Sequence, residues 1–367
     1  MWFWILDQFG SVMEQMEGMA SGDSRVFLTA RTALASLTSF LVALFLGPRA
    51  IRWLQGRFRE RIDSASERLN ELHAGKQSTP TMGGLFVIGS TLVSILVWGN
   101  LSCRHVQLGL FVATAFAALG ATDDWIKLSS ARNGLNVRQK LAVQVLISTL
   151  VGVGLYFEQR SVEQGLQLIW PIGNYAIDLG AWFIPWSVFL MVGSSNAVNL
   201  TDGLDGLASG CTVFAGSAFV ALTYLSGHAI LSDYLAIPHL ADAGEVSVVL
   251  GALVGAVLGF LWFNCYPAQV FMGDTGSLPI GALLAYAALV TRQEVLLALA
   301  GGIFVIETLS VIFQVASFKL FGRRLIACSP LHNHFVFRGD HEIKIVVRFW
   351  IGSALLAIVA VASLKIR

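Results

Sequence analysis

Ten apolar stretches recur along this chain, near residues 26–47, 82–98, 107–122, 139–157, 181–199, 206–227, 246–263, 276–291, 296–318 and 346–364. Each approaches the ~20 mostly apolar residues that carry an α-helix across the hydrocarbon layer of a bilayer. Backbone N–H and C=O groups find no water there, so such stretches must satisfy them internally, as helices do. The composition agrees: 55% of the residues are hydrophobic and only 13% are charged, against ~25% charged in a globular domain. The sequence therefore predicts an all-α integral membrane protein with ten transmembrane helices. No soluble domain fits between them, and the longest connection, roughly 48–81, is a polar loop. Residues 26–367 read as a single polytopic domain.

Residues 1–25 form a separate N-terminal segment. They lack a basic start and carry Asp7, Glu14 and Glu17, so no cleavable signal peptide is expected. Trp2, Phe3, Trp4, Ile5, Phe9, Val12, Met13 and Met16 suit a short amphipathic helix at the membrane interface. A net charge of +1 gives no electrostatic case for nucleic acid. The four cysteines (Cys103, Cys211, Cys265 and Cys328) are too scattered for a zinc site or a disulfide framework, and read as packing residues.

Lys and Arg set the orientation. With the N-terminus outside, seventeen of the 24 basic residues fall in inner connections, six fall outside, and Arg31 is left within the first span. Both termini then face the periplasmic side. Under this topology Asp123 and Asp124 end span three, Asp202 and Asp205 follow span five, Asp274 follows span seven, and His332 and His334 follow span nine. Each group is two crossings from the next, so all return to the cytoplasmic face.

The groups are individually ambiguous. Asp123-Asp124 with Lys127 one turn on is a pair whose repulsion a divalent cation or shared proton relieves, or else a solvated helix end. Asn196 and Asn199, one turn apart before Thr201-Asp202-Gly203-Leu204-Asp205-Gly206, offer amide donors and acceptors, or else bond helix to helix. Phe271-Met272-Gly273-Asp274-Thr275-Gly276-Ser277 has glycines that let backbone N–H groups approach an anion, or is an ordinary turn. His332-Asn333-His334 suits phosphate contact better than zinc, since carboxylates are at hand for a hard cation. Lys76 to Gly84 adds a cation and hydroxyls. Together, on one face, they describe Mg²⁺-assisted phosphoryl transfer to a lipid.

Thr79-Pro80-Thr81-Met82-Gly83-Gly84, Asp-Asp-x-x-Lys at 123–127, the run 196–206 and Phe-Met-Gly-Asp-Thr-Gly-Ser at 271–277, in this order, resemble the polyprenyl-phosphate N-acetylhexosamine-1-phosphate transferases, and among them the muramoyl-pentapeptide members. The resemblance runs from about span one to the last span. It implies a ten-span homodimer that requires Mg²⁺ and opens its site to the cytoplasm of a bacterial inner membrane. It also implies transfer of phospho-MurNAc-pentapeptide from its UDP carrier to undecaprenyl phosphate, giving lipid I and UMP in peptidoglycan synthesis. On matching positions, Asp123, Asp124 and Asp274 are the catalytic carboxylates, with Asp123 the candidate base. Asp274 coordinates Mg²⁺, with Asp202 beside it. Lys76, Thr81, Lys127 and Lys140 surround the phosphates. Asn196, Asn199, Asp202, Asp205 and Phe271 line the metal and nucleoside pocket, and His332, Asn333 and His334 complete the substrate contacts.

Three positions depart from the family pattern: Asn333 stands where the middle of three histidines is usual, Val336 where Glu is common, and Ser78 where Gly is usual. The Asn333 change replaces a protonatable donor by a neutral amide, leaving proton roles to His332 or His334. Glu307 lies deep in span nine, a functional candidate by default, though hydrogen bonds from Thr308 or a neighbouring helix would also hold it; it is left outside the site. Two other functions fit less well. A sister enzyme moving GlcNAc-1-phosphate onto the same lipid would share most of these motifs. An ion-coupled transporter would place its carboxylates near the midplane and often repeat its architecture, and no repeat is present here.

Overall fold

The computed structural model describes residues 26–57, 79–130, 134–171, 173 and 175–366. The expected interfacial segment 1–25, together with Lys76 and Ser78, lies outside the described residues. Ten main helices follow in order: α1 Val26–Gln55, α2 Gly84–Trp98, α3 Arg104–Ser129, α4 Val137–Gln159 and α5 Phe183–Thr201. Then come α6 Leu207–Ser226, α7 Glu245–Asn264, α8 Asp274–Thr291, α9 Gly302–Phe321 and α10 Glu342–Ala362. Among the described residues nine of these are long and apolar enough to cross a membrane, and α2, at 15 residues, is a shorter apolar helix. The chain is thus an all-α, multi-span membrane protein, apart from one small ribbon. That ribbon, Gln167–Ile169 paired antiparallel with Ala176–Asp178, lies between α4 and α5.

The helix expected over 296–318 is divided. A short helix, Glu294–Ala300, stops at Gly301, and α9 begins at Gly302. Two consecutive glycines weaken the helix there. A Cβ at Gly302 would lie 2.8 Å from Leu356 Cδ1, so the start of α9 packs closely against α10.

Helix α8 is the axis of the bundle, with all 18 of its residues buried. It packs against α3 and α5, while α7 packs against α1 and α6. Lipid supplies no hydrophobic contrast between helices, so small residues that permit close backbone approach matter most. Added Cβ atoms would meet Met272 Cγ at 2.5 Å and the Gly84 Cα at 2.8 Å from Gly276, and Ser195 Cα at 2.7 Å from Gly281. These glycines let α2 and α5 touch the axis.

Arg31, the one basic residue inside the first span, is answered across the bundle. Its guanidinium donates to both carboxylate oxygens of Glu245, at 2.9 and 2.6 Å, and to the Trp98 carbonyl at 2.8 Å. Arg31, Trp98 and Glu245 therefore meet at one end of α1, α2 and α7. Gly84, Lys127, Lys140, Asn199 and Asp274 meet at the other end, as the contacts below show.

Candidate active site

The N-terminus of α8 organises the site. Gly273 precedes it with φ 72° and ψ 177°, a conformation essentially confined to glycine. A Cβ there would also lie 2.6 Å from Asp124 Oδ2. Asp124 reaches from the end of α3 to accept from the Asp274 N–H at 3.2 Å, the Thr275 N–H at 2.9 Å and the Thr275 hydroxyl at 2.6 Å. A carboxylate on the first free N–H groups of a helix satisfies them and meets the positive end of its dipole. Glycine makes that approach possible a second time. A Cβ on Gly120 would sit 2.6 Å from Thr275 N and closer still to the Asp274 carbonyl.

The stretch before α2 is laced to the stretch before α8. Phe271 N–H donates to the Pro80 carbonyl, Gly83 N–H to that of Phe271 and Gly84 N–H to that of Met272, each at 2.8 Å. Thr81 is buried beside this lacing, and Phe271 is half-buried. The two motif stretches thus form one structural unit.

The charged groups converge on it. Asp123 and Asp124 are 2% and 3% exposed, which rules out a solvated helix end. Lys127 Nζ lies 2.7 Å from Asp123 Oδ2, 3.0 Å from Asp274 Oδ2 and 3.6 Å from Asp124 Oδ1. Lys140 comes from the first turn of α4, which is fixed by a capping box between Asn136 and Gln139. Its ammonium also bonds Asp274 Oδ2 and lies 3.8 Å from Asp123 Oδ2. Asn199 donates to Asp274 Oδ1 at 2.6 Å and to Ser277 Oγ at 2.9 Å. The Leu135 N–H donates to Asp123 Oδ1 at 2.8 Å. Three carboxylates here face two ammonium groups.

One oxygen from each of Asp123, Asp124 and Asp274 lies within 4.8 Å of the others, the group among the described residues able to hold a metal ion. An all-carboxylate donor set suits a hard dication. Asp202, expected beside Asp274 at the metal, is not in that group. It is the half-buried C-cap of α5, and its backbone N–H bonds the Val198 and Asn199 carbonyls. Asp205 is buried on the turn between α5 and α6. It accepts from the Ala268 N–H at 2.9 Å, while its own N–H donates to Glu342 Oε1 at 2.9 Å.

Of the two amides on α5, Asn199 enters the site and Asn196 does not. Asn196 donates to Gln144 Oε1 at 2.9 Å and to the Val192 carbonyl at 2.8 Å, the helix-to-helix role. His332, Asn333 and His334 lie on a short helix, Leu331–Phe337. That helix is anchored through Glu307, whose carboxylate accepts the His332 N–H at 3.1 Å. Gly120, against Asp274, and Glu342, bonded to the Asp205 N–H, had no part in the sequence reading. For Gly120, the signal was its place one turn before Asp124. An apolar cavity of about 450 Å³ flanks the aspartate pair, lined by Trp53, Met82, Leu85, Ala121, Thr122, Trp125 and Ile126.

Known proteins resemble the chain over nearly its whole length. Residues 106–292 match the family described as glycosyl transferase family 4. The chain is similar to the phospho-N-acetylmuramoyl-pentapeptide-transferase of Pelobacter propionicus, 44% identical over 354 residues, covering 95% of this chain and 98% of that protein. It is similar to the enzymes of the same name from Koribacter versatilis, 43% identical, and Desulfosudis oleivorans, 46% identical, each match covering 93% of this chain and 94% of the relative.

Proposed function

Because this chain belongs to the family of phospho-N-acetylmuramoyl-pentapeptide-transferases, we propose how its buried cluster carries out that family's reaction. The protein is a multi-pass membrane transferase that moves phospho-MurNAc-pentapeptide from UDP-MurNAc-pentapeptide to undecaprenyl phosphate. Lipid I and UMP are the products. A phosphate oxygen of the lipid attacks the sugar-bearing phosphorus, and the bond from that phosphorus to the bridging oxygen breaks, so the bridge leaves with UMP.

The observation that carries the reading is the meeting of Asp123, Asp124 and Asp274 with Lys127 and Lys140 in one buried network. Lys127 and Lys140 hold the phosphates by charge. Asp123 keeps the acceptor phosphate ionised by taking its proton. Asp124 acts on position: with three hydrogen bonds to the start of α8 it sets where Asp274 stands. Asp274, steered by Asn199, would hold Mg²⁺. When bound, Mg²⁺ neutralises charge on the phosphate oxygens and orients the in-line exchange. Asp205 and Phe271 face the nucleoside. The ten-crossing count includes α2, about 22 Å long at 1.5 Å per residue. The excess of basic residues in the connections supports a cluster on the cytoplasmic side, with both termini outside. A homodimer belongs to the same reading.

Purified protein with Mg²⁺, undecaprenyl phosphate and UDP-MurNAc-pentapeptide should release UMP, and none when the metal is chelated. Release with UDP-GlcNAc alone would assign the sister activity instead.

A further inference from the structure

Glu307 sits in α9 with no exposed surface, and His332, 25 residues further on, is 1% exposed. The carboxylate meets the histidine at two points, and only the backbone one has hydrogen-bond geometry. Oε1 accepts from the His332 backbone N–H at 3.1 Å, and Oε2 lies 3.2 Å from the ring Nδ1. The same helix face holds the strand of chain that leads to His332. Gln314 accepts from the Leu325 and Ile326 N–H groups at 2.9 and 3.1 Å, and Ser317 donates to the Arg323 carbonyl at 2.9 Å. Positions 307, 314 and 317 share one face of a helix, so α9 carries a polar stripe that straps residues 323–332 against the bundle. At its far edge the imidazole abuts Gly203, where a Cβ would lie 2.8 Å from His332 Cε1 and nearer still to Nε2. Nε2 therefore faces the turn that bears Asp202 and Asp205.

We propose that Glu307 is a positioning residue that fixes the orientation of His332 for phosphoryl transfer, an inference that rests on the transferase reading above. The backbone bond and the contact at Nδ1 together hold the ring with its Nε2 edge toward Gly203. His334 is held separately, its Nδ1 accepting from the Ala327 N–H at 3.2 Å. Each imidazole flanking Asn333 is thus oriented from its Nδ1 side, which leaves Nε2 turned away from that anchor. Outer groups that orient a functional histidine typically matter by 10- to 100-fold when altered.

Glu307→Gln tests this. The amide oxygen still accepts the His332 backbone N–H, but the carboxylate's charge beside Nδ1 is gone. The expected result is a kcat for UMP release about 10- to 100-fold lower, with KM for the nucleotide sugar and thermal unfolding in detergent little changed. In a His332→Ala background the same substitution should cost nothing more, because Glu307 acts through that ring. Unaltered kcat in the single variant, or an equal loss in both backgrounds, overturns the inference. Should Glu307→Gln not fold, Glu307→Asp, which withdraws the carboxylate by one methylene, carries the same comparison. A wild-type protein that releases no UMP overturns the underlying reading, and this inference with it.

Discussion

Gly120→Ala is the smallest change that tests how the site is held. Gly120 on α3 lies against the first peptide units of α8. An added methyl would stand 2.6 Å from Thr275 N, about 0.8 Å inside the 3.4 Å at which ordinary contact begins, and closer yet to the Asp274 carbonyl. The obstacle is backbone at the start of the most buried helix, so no side chain can swing aside. The helices must part by close to an ångström. Forcing one methyl into a packed interior costs about 1–3 kcal/mol, against about 1 kcal/mol gained from replacing glycine by alanine in a helix. Stability should therefore fall by no more than about 2 kcal/mol. Activity should fall much further. Asp124 spans the same gap through its bonds to Asp274 and Thr275, so parting α3 from α8 moves Asp274 relative to Asp123. A misplacement of ~1 Å costs on the order of 100-fold in rate. The assay is kcat/KM for UMP release beside thermal unfolding in detergent. Gly109→Ala is the control, three turns earlier on the same helix, where an added methyl meets Val249 Cγ1 at 3.4 Å. It should be neutral or slightly stabilising. Gly120→Ala activity within about twofold of wild type would refute the argument that this contact sets the carboxylate geometry.

Three further outcomes are expected. Arg31→Met leaves Glu245 mostly buried without its partner and should cost about 3–5 kcal/mol of stability, measured by denaturant unfolding, with Arg31→Met/Glu245→Met recovering most of it; an unchanged midpoint in the single variant would show that the pair contributes nothing. Asp274→Ala should abolish UMP release and leave a folded protein, whereas near-normal release would remove Asp274 from the reaction. Asn333 Oδ1 is buried with no hydrogen-bond partner among the described residues, so Asn333→Ala should lower kcat/KM by roughly three- to tenfold, one neutral hydrogen bond of about 1 kcal/mol, with unfolding unchanged; the reverse pattern would make Asn333 a structural residue only.

Sequence reasoning recovered what depends on counting and on local chemistry. Even numbers of crossings separate Asp123, Asn199 and Asp274, and all three meet. Lys127 and Lys140 reach the same carboxylate. What it could not recover depends on distances between remote segments. Asn196 and Asn199 look equivalent on paper, one turn apart on α5. Only the position of Gln144 on α4 turns the first into a helix clamp, while Ser277 on α8 draws the second into the site. Asp202 and Asp124 show the same limit in opposite directions. A carboxylate beside glycine at a helix end suggests a ligand, yet Asp202 sits at the C-cap of α5, outside the carboxylate group. Asp124 belongs to that group and also caps another helix.

Glu307 shows the limit most clearly. Its place in the middle of an apolar run says only that something must offset its charge, because a lone carboxylate in lipid is costly. The nearest candidate by sequence, Thr308, bonds the Phe304 carbonyl instead. The group that answers Glu307 arrives from beyond the end of the helix, where the chain turns back and the Leu331–Phe337 helix presents the His332 N–H and ring to it. Periodicity places the polar residues 307, 314 and 317 on one face but cannot say that the face is covered by the chain's own later residues. Once it is, an acid that looked isolated in the membrane and a histidine read only for phosphate contact become two ends of one connection. A buried acid within a span is therefore better paired, in reading such sequences, with the first basic or imidazole-bearing segment after the helix than with its immediate neighbours.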